Sequence, residues 1–265
     1  MSRVAVVTGG TRGIGAAIAH TLSRAGHDLT LLGRDAAALQ ALAQRLTPPS
    51  KGGGRTHNVC ADVTDAQAMQ DAVPVGAGAM AAILGMTAAD VVAGCAQAQA
   101  TFASGSGEVV EAANFNDPSQ TVIAGSKAAV EKACEILKAA GAKRALPLPV
   151  SAPFHSSLML PAAEKLKERL ATTSIAAPAI PVVNNIDVAV KTDANEIREA
   201  LYRQAFGPVR WVECVAAIKA RGAHTLVECG PGKVLAGLTK RIDAELTGLP
   251  LFDPATLAEV KVALA

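Results

Sequence analysis

His155 lies in "SAPFHSSLM" (151–159), behind a Pro-Phe pair and just ahead of a helix-like run. Imidazole is the side chain that most readily accepts a proton near neutrality, and its usual partner is a serine or cysteine held on a sharp turn. For serine that turn reads G-x-S-x-G, because the strained backbone admits only small neighbours around the nucleophile. Ser104, Ser106 and Ser126 have glycines nearby, but none has one two residues away on both sides. A second stretch with chemical content is "GGTRGIG" (9–15), between strand-like "RVAVVT" (3–8) and helix-like "AAIAHTLSRAG" (16–26). There Gly9, Gly13 and Gly15 would let the backbone approach a pyrophosphate at the positive end of a helix.

The elements that must position these residues are drawn from an unusual pool. Of 265 residues half are apolar yet only 3% are aromatic, so the core must be built from Ala, Val, Leu and Ile. That suits helices packed closely on parallel strands. A formal charge of +2, with both signs interspersed, offers no basic face for nucleic acid and no cationic run for a membrane surface. Five cysteines without a C-x-x-C pair read as reduced and mostly buried thiols, and five scattered histidines form no metal-ligand spacing. The first residues run straight into a strand-like stretch, and no apolar run is long enough to span a bilayer. The expectation is a soluble, cytoplasmic α/β protein.

Two patterns follow one another along the chain. Up to about residue 63, strand and helix alternate: strands at 3–8, 28–34 and 57–63, a helix after the glycine loop, and a helix at 35–46 with Asp35 as its cap. From about residue 78 the order is β-α-β-β-α-β: "GAMAAILG" (78–85), a helix in 87–103, "GEVVEAANFN" (107–116), "QTVIAGS" (120–126), a helix in 127–142 and "KRALPLPVS" (143–151). This is the split, ferredoxin-like arrangement. Beyond His155 the patterns predict a helix at 160–172, a strand at 181–188, helices between 195 and 221, a strand at 224–232 and a helix from near Lys233.

The spacing in "TGGTRGIG" resembles the opening of the short-chain dehydrogenase/reductase family, and "ADV" (61–63) is similar to that family's adenine-contacting element. The resemblance implies a nucleotide site built from Gly9, Arg12, Gly13, Ile14, Gly15, Arg34 and Asp62. NAD-preferring members carry an acid at the end of the second strand. Gly33 and Arg34 stand there instead, and with Arg12 they would suit the extra phosphate of NADP. The family's catalytic Y-x-x-x-K pair is absent, since the single tyrosine, Tyr202, is followed by "RQAF".

From about 69 onward the chain resembles the malonyl-CoA:acyl-carrier-protein transacylase family, through "GAMAAILG", "NFNDPSQTVIAG", "AAGAKRALPLPVSAPFHSSLM", "PVVNNIDV" and "VECGPGKVLAGLTKRI" in family order. The resemblance implies that His155 takes the proton of a serine that attacks malonyl-CoA, and later serves transfer to the thiol of acyl carrier protein. It also implies that a backbone carbonyl in the loop matching "CGPGKV" (229–234) orients the ring, and that Asn116 and Gln120 border the acyl cleft. Read from residues alone, His155 fits a buried, hydrogen-bonded histidine as well, and "NDPS" an ordinary turn. The family's nucleophile elbow, its glycine/glutamine-rich motif and its carboxylate-binding arginine have no counterpart here. Asp65 aligns with the arginine and would repel malonate.

The reading is therefore an α/β chain in which a partial Rossmann-like parallel sheet (1–68) joins an acyltransferase α/β core (69–265) containing a ferredoxin-like subdomain (78–151). The seam falls near 62–74, as an in-frame deletion or an assembly error between neighbouring genes would leave it. The expected partners are malonyl-CoA and acyl carrier protein, with no nucleic acid and no membrane. Acyl transfer requires no cofactor, activity is expected to be lost, and the alternative is a partial NADP-binding module. Arg144, Lys240 and Arg241 could face an acidic carrier, or be solvated charges.

Overall fold

The computed structural model describes residues 4–8, 16, 19–20, 23–24, 28–33, 36–46, 56–60, 78–150, 152–230 and 232–264. The chain divides into two compact units, Met1–Asp65 with Phe252–Ala258, and Ala66–Leu251 with Glu259–Ala265.

In the first unit, β1 (Val4–Thr8), β2 (Asp28–Gly33) and β3 (Thr56–Cys60) form a parallel sheet in that order, with Val4 opposite Asp28 and Leu29 opposite Thr56. Helix α1 (Ala36–Arg45) carries Leu39 and Leu42 three residues apart, and both are buried with Ala19, Leu29 and Leu46. Helical spacing on α1 thus brings its leucines together with Leu29 of β2 in one apolar layer.

In the second unit, β4 (Gly78–Leu84), β5 (Val110–Asp117), β6 (Gln120–Ser126) and β7 (Arg144–Pro147) form an antiparallel sheet in the order β5-β6-β4-β7. Helices α2 (Ala88–Gln99) and α3 (Lys127–Ala139) connect its strands. The strand period of two divides β4 between two cores. Ala81 and Ile83 pack with Val91, Ile123 and Leu137, whereas Met80 and Ala82 pack with Ala113 and Val122. Thr87 caps α2, its hydroxyl accepting from the Asp90 amide at 3.2 Å. At the β5–β6 turn, Asp117 Oδ1 accepts from the Ser119 amide at 2.8 Å, the Asx turn expected of "NDPS". Gly125 permits the close approach of neighbouring backbone: a Cβ there would stand 1.9 Å from the Val109 carbonyl oxygen.

The remainder comprises a 3-10 turn (Ser157–Met159), α4 (Leu160–Ala171), α5 (Ala194–Gln204), α6 (Trp211–Lys219), β8 (Thr225–Cys229), α7 (Val234–Ile242), β9 (Thr247–Leu251) and α8 (Pro254–Ala263). β8 and β9 pair in parallel.

The strand predicted at 181–188 does not form. Only an isolated Val183–Val190 bridge remains, and the chain curls between its ends. The cause is Asn184. Its Oδ1 accepts from the Asp187 amide at 2.7 Å, and its Nδ2 donates to the Ala189 carbonyl at 2.8 Å. A carboxamide that satisfies local backbone competes with a sheet ladder and wins despite flanking valines. Val188 takes φ of 57°, a left-handed conformation uncommon for a β-branched residue.

Among the described residues no helix is long and apolar enough to cross a membrane, and no cluster of three His, Cys, Asp or Glu could hold a metal ion. Cys95 and Cys214 are buried free thiols, Cys134 is half-buried, and Cys229 is exposed. Burial, with Cys134 and Glu111 nearby, pushes the Cys95 thiol up to about 12.

Candidate active site

The loop carrying His155 is pinned before the ring makes any contact. Pro153 is buried against Gly78 at the start of β4, where a Cβ would lie 2.3 Å from its Cδ. The hydroxyl of Ser156, wholly buried, donates to the Pro153 carbonyl at 2.7 Å. The Ser157 amide donates to Glu111 Oε2 at 2.7 Å, tying the 3-10 turn to β5. Between these anchors His155 takes φ of 63°, in the left-handed region. Histidine tolerates that region better than most side chains, yet it costs energy and persists only where neighbours enforce it.

The ring is then held from one side. His155 Nδ1 lies 3.0 Å from the Gln204 carbonyl oxygen and 3.2 Å from that of Gly207. Both partners only accept, so Nδ1 carries the hydrogen and Nε2 keeps its lone pair. Such a tautomer can take a proton at Nε2, and the imidazolium so formed donates more strongly to the same two carbonyls.

The origin of these acceptors is the end of α5. The last carbonyls of a helix lack intrahelical partners. Here the Tyr202 oxygen receives the Ala205 amide, and the Arg203 oxygen receives the amides of Phe206 and Gly207. The Gln204 oxygen is left to His155. The chain then joins β5, with the Phe115 amide donating to the Val209 carbonyl at 2.9 Å and the Val209 amide to the Ala113 carbonyl at 2.8 Å.

The orienting carbonyl thus corrects the sequence reading, which placed it in 229–234. In that loop the Gly230 amide donates to the Leu251 carbonyl, and the elements flanking it are joined by Glu228 Oε2, which accepts from the Ala236 amide in the first turn of α7. Backbone acceptors carry no side-chain signature, so Gln204 and Gly207 could be found only by following which helix end faces the ring.

Asn116 lies on β5, two residues beyond Asn114, which bridges Val209, and Gln120 opens β6 opposite Asp117. Neither side chain hydrogen-bonds to His155. Beside them Asp117 is almost wholly buried, and its Oδ2 meets Arg241 Nη1 at 3.2 Å. Among the described residues no hydroxyl or thiol hydrogen-bonds to His155 Nε2. Ser126 is occupied with Glu108 and the Val109 backbone, and Ser106 with the Glu108 amide. Gly9, Arg12, Gly13, Ile14, Gly15, Arg34, Asp62 and Asp65 lie outside the described residues.

Behind the two carbonyls stands an ion pair. Arg203 Nη1 and Nη2 meet Asp187 Oδ1 and Oδ2 at 2.7 and 2.9 Å, a two-pronged match of guanidinium and carboxylate. The Arg203 bond holds the Asp187 carboxyl below its ordinary range, and Asp187 raises the guanidinium in turn.

The acyl transferase domain profile matches residues 51–245, and the short chain dehydrogenase profile matches residues 3–88. A malonyl CoA-acyl carrier protein transacylase of Salmonella typhimurium is 53% identical over 190 residues, 72% of this chain and 60% of that protein. The crystal structure of an acyl-carrier-protein S-malonyltransferase from Burkholderia pseudomallei is 64% identical, with a TM-score of 0.69, over 74% of this chain and 62% of that one. A malonyl-transacylase in complex with a type II PKS acyl-carrier protein is 47% identical, with a TM-score of 0.69, over 72% of this chain and 60% of that one. The chain thus spans about 60% of the length of the curated transacylase it matches.

Proposed function

This chain belongs to the acyl transferase domain family, and from that premise we propose that it carries the histidine side of a site for malonyl transfer between coenzyme A and acyl carrier protein. The observation that supports this most is the double carbonyl clamp on His155 Nδ1, which leaves Nε2 as the base. In acyl transfer the base removes a proton from a hydroxyl as it attacks the thioester, and the released thiolate takes the proton back. The next thiol repeats the exchange in reverse. No acidic side chain is needed to hold the ring, because two carbonyl dipoles serve. The chemistry calls for no cofactor.

The same reading assigns the βαββαβ segment at 78–151 to the family's ferredoxin-like subdomain, and 69–265 to its acyltransferase part. It gives Asn116 and Gln120 the acyl-facing side of the cleft. The sequence lacks G-x-S-x-G and places Asp65 where a carboxylate-binding arginine is expected. The chain by itself is therefore expected to form no malonyl-enzyme. Incubation with malonyl-CoA followed by intact mass should show the unmodified chain, beside a Salmonella transacylase that gains one malonyl group. A stable ester on this chain would overturn the inactive reading and name the missing nucleophile.

A second reading concerns residues 1–68, where a parallel sheet in the order β1-β2-β3 accompanies the dehydrogenase profile match. As a Rossmann-like half it would offer NADP a pyrophosphate loop at Gly9, Gly13 and Gly15, with Arg12 and Arg34 for the extra phosphate. Without the tyrosine–lysine pair, reduction is not expected. NADPH fluorescence should reveal weak binding that Arg34→Ala abolishes; binding unchanged by that substitution would remove the module.

A further inference from the structure

The last turn of α5 is held by more than its own hydrogen bonds. The Arg203 guanidinium leaves the helix one residue before Gln204 and grips Asp187 in two-pronged fashion at 2.7 and 2.9 Å. Asp187 is itself fixed, since Asn184 Oδ1 accepts its amide at 2.7 Å and Asn184 Nδ2 closes the turn on Ala189. Gly207 fits against this turn without a side chain to spare. Its amide donates to the Arg203 carbonyl at 2.8 Å, and a Cβ would lie 2.5 Å from Ile186 Cδ1 and 3.0 Å from the Arg203 oxygen. The 184–189 turn therefore meets the chain at Arg203 and at Gly207, the two ends of the segment that presents the Gln204 and Gly207 carbonyls to His155.

We propose that Arg203 and Asp187 are positioning residues for His155, holding the Gln204 and Gly207 carbonyls on Nδ1 and so selecting the tautomer with a free Nε2. The assignment rests on the acyl-transfer reading of His155. The pair is partly exposed, with side-chain accessibilities of 36% for Arg203 and 21% for Asp187. Solvent screens part of what such a pair gives to global stability, and the fixed orientation of the fork is the property the assignment rests on. Lysine cannot replace arginine here, because a point charge does not reproduce the fork. Glu199 also approaches Arg203, at 3.4 Å from Nε. It leaves Nη1 and Nη2 to Asp187, so Glu199→Gln serves as a control.

The test is the imidazole nitrogen spectrum of the full chain labelled with ¹⁵N-histidine. His155 is picked out among the five histidines by its loss in His155→Asn. The unaltered protein should show the Nδ1–H tautomer; if it does not, the reading of His155 as base fails, whatever the fork does. Given that tautomer, Arg203→Lys and Asp187→Asn should each lower the ratio of Nδ1–H to Nε2–H by about fivefold, the factor that about 1 kcal/mol of lost hydrogen bonding gives. The double variant should lose no more than either alone, because both remove one interaction. Glu199→Gln should leave the ratio unchanged. Folded variants that keep the original ratio overturn the proposal, and so do variants that unfold, since they assign the fork to stability.

Discussion

Malonyl transfer from coenzyme A to acyl carrier protein by this chain is expected to run about 10⁴-fold or more below that of the Salmonella transacylase under the same conditions. On the proposed reading the clamped His155 serves as base, and among the described residues no hydroxyl or thiol hydrogen-bonds to it for that base to activate. Groups that act as a unit lose nearly all their effect when one is removed, so an intact histidine does not preserve a proportionate share of the rate. Two further losses point the same way. On the same reading Asp65 would oppose the malonyl carboxylate, and the glycine/glutamine-rich motif that the transacylase resemblance implies for the oxyanion hole has no counterpart in the sequence. Time courses of carrier acylation, read by mass, provide the measurement. A rate within tenfold of the relative would mean that a nucleophile has been overlooked.

The second large effect concerns the antiparallel unit on which the His155 loop is pinned. Leu137 is fully buried between α3 and the sheet, and Leu137→Ala should cost about 2–5 kcal/mol. Its neighbour is Gly94 of α2, where a Cβ would lie 2.4 Å from Leu137 Cδ2 and 2.9 Å from Cγ. Gly94→Ala alone should therefore destabilise through overpacking, by about 1–3 kcal/mol. In the Leu137→Ala background the same methyl enters the space just vacated. There it should recover about 1 kcal/mol instead of losing stability. Amide exchange of β4 and β6 peptides isolates this unit from the rest of the chain. Additive losses would show that the two helices yield rather than interlock.

How much of this was legible before any coordinates depended on where the information resides. Strands β4, β5 and β6 and helices α2 and α3 coincide closely with the patterns at 78–85, 107–116, 120–126, 87–103 and 127–142. Alternation and three-to-four spacing reflect which side chains meet the core, so the letters carry them. The stretch "PVVNNIDV" shows the limit. Its valines and isoleucine favour a strand, while one asparagine side chain, bonding at 2.7 and 2.8 Å, bends it into a turn. The candidate base at 155 stood out as a histidine in "PFHSS", but what orients its ring did not. Carbonyl oxygens are common to all residues, and only the place where α5 stops makes those of Gln204 and Gly207 available. Arg203 and Asp187 were equally silent, sixteen residues apart and without a motif to join them.

The left-handed backbone at His155 has a practical consequence for anyone dissecting this loop. Alanine, the default replacement, would remove the imidazole and at the same time place an ordinary side chain in a conformation that costs such residues about 1–2 kcal/mol, more than it costs histidine. A deficit measured that way would mix chemistry with conformation. Asparagine accepts the same dihedral angles at low cost and cannot act as a base. It is the substitution that separates the two, and any residual difference between His155→Asn and His155→Ala measures how tightly the surrounding chain enforces the bend.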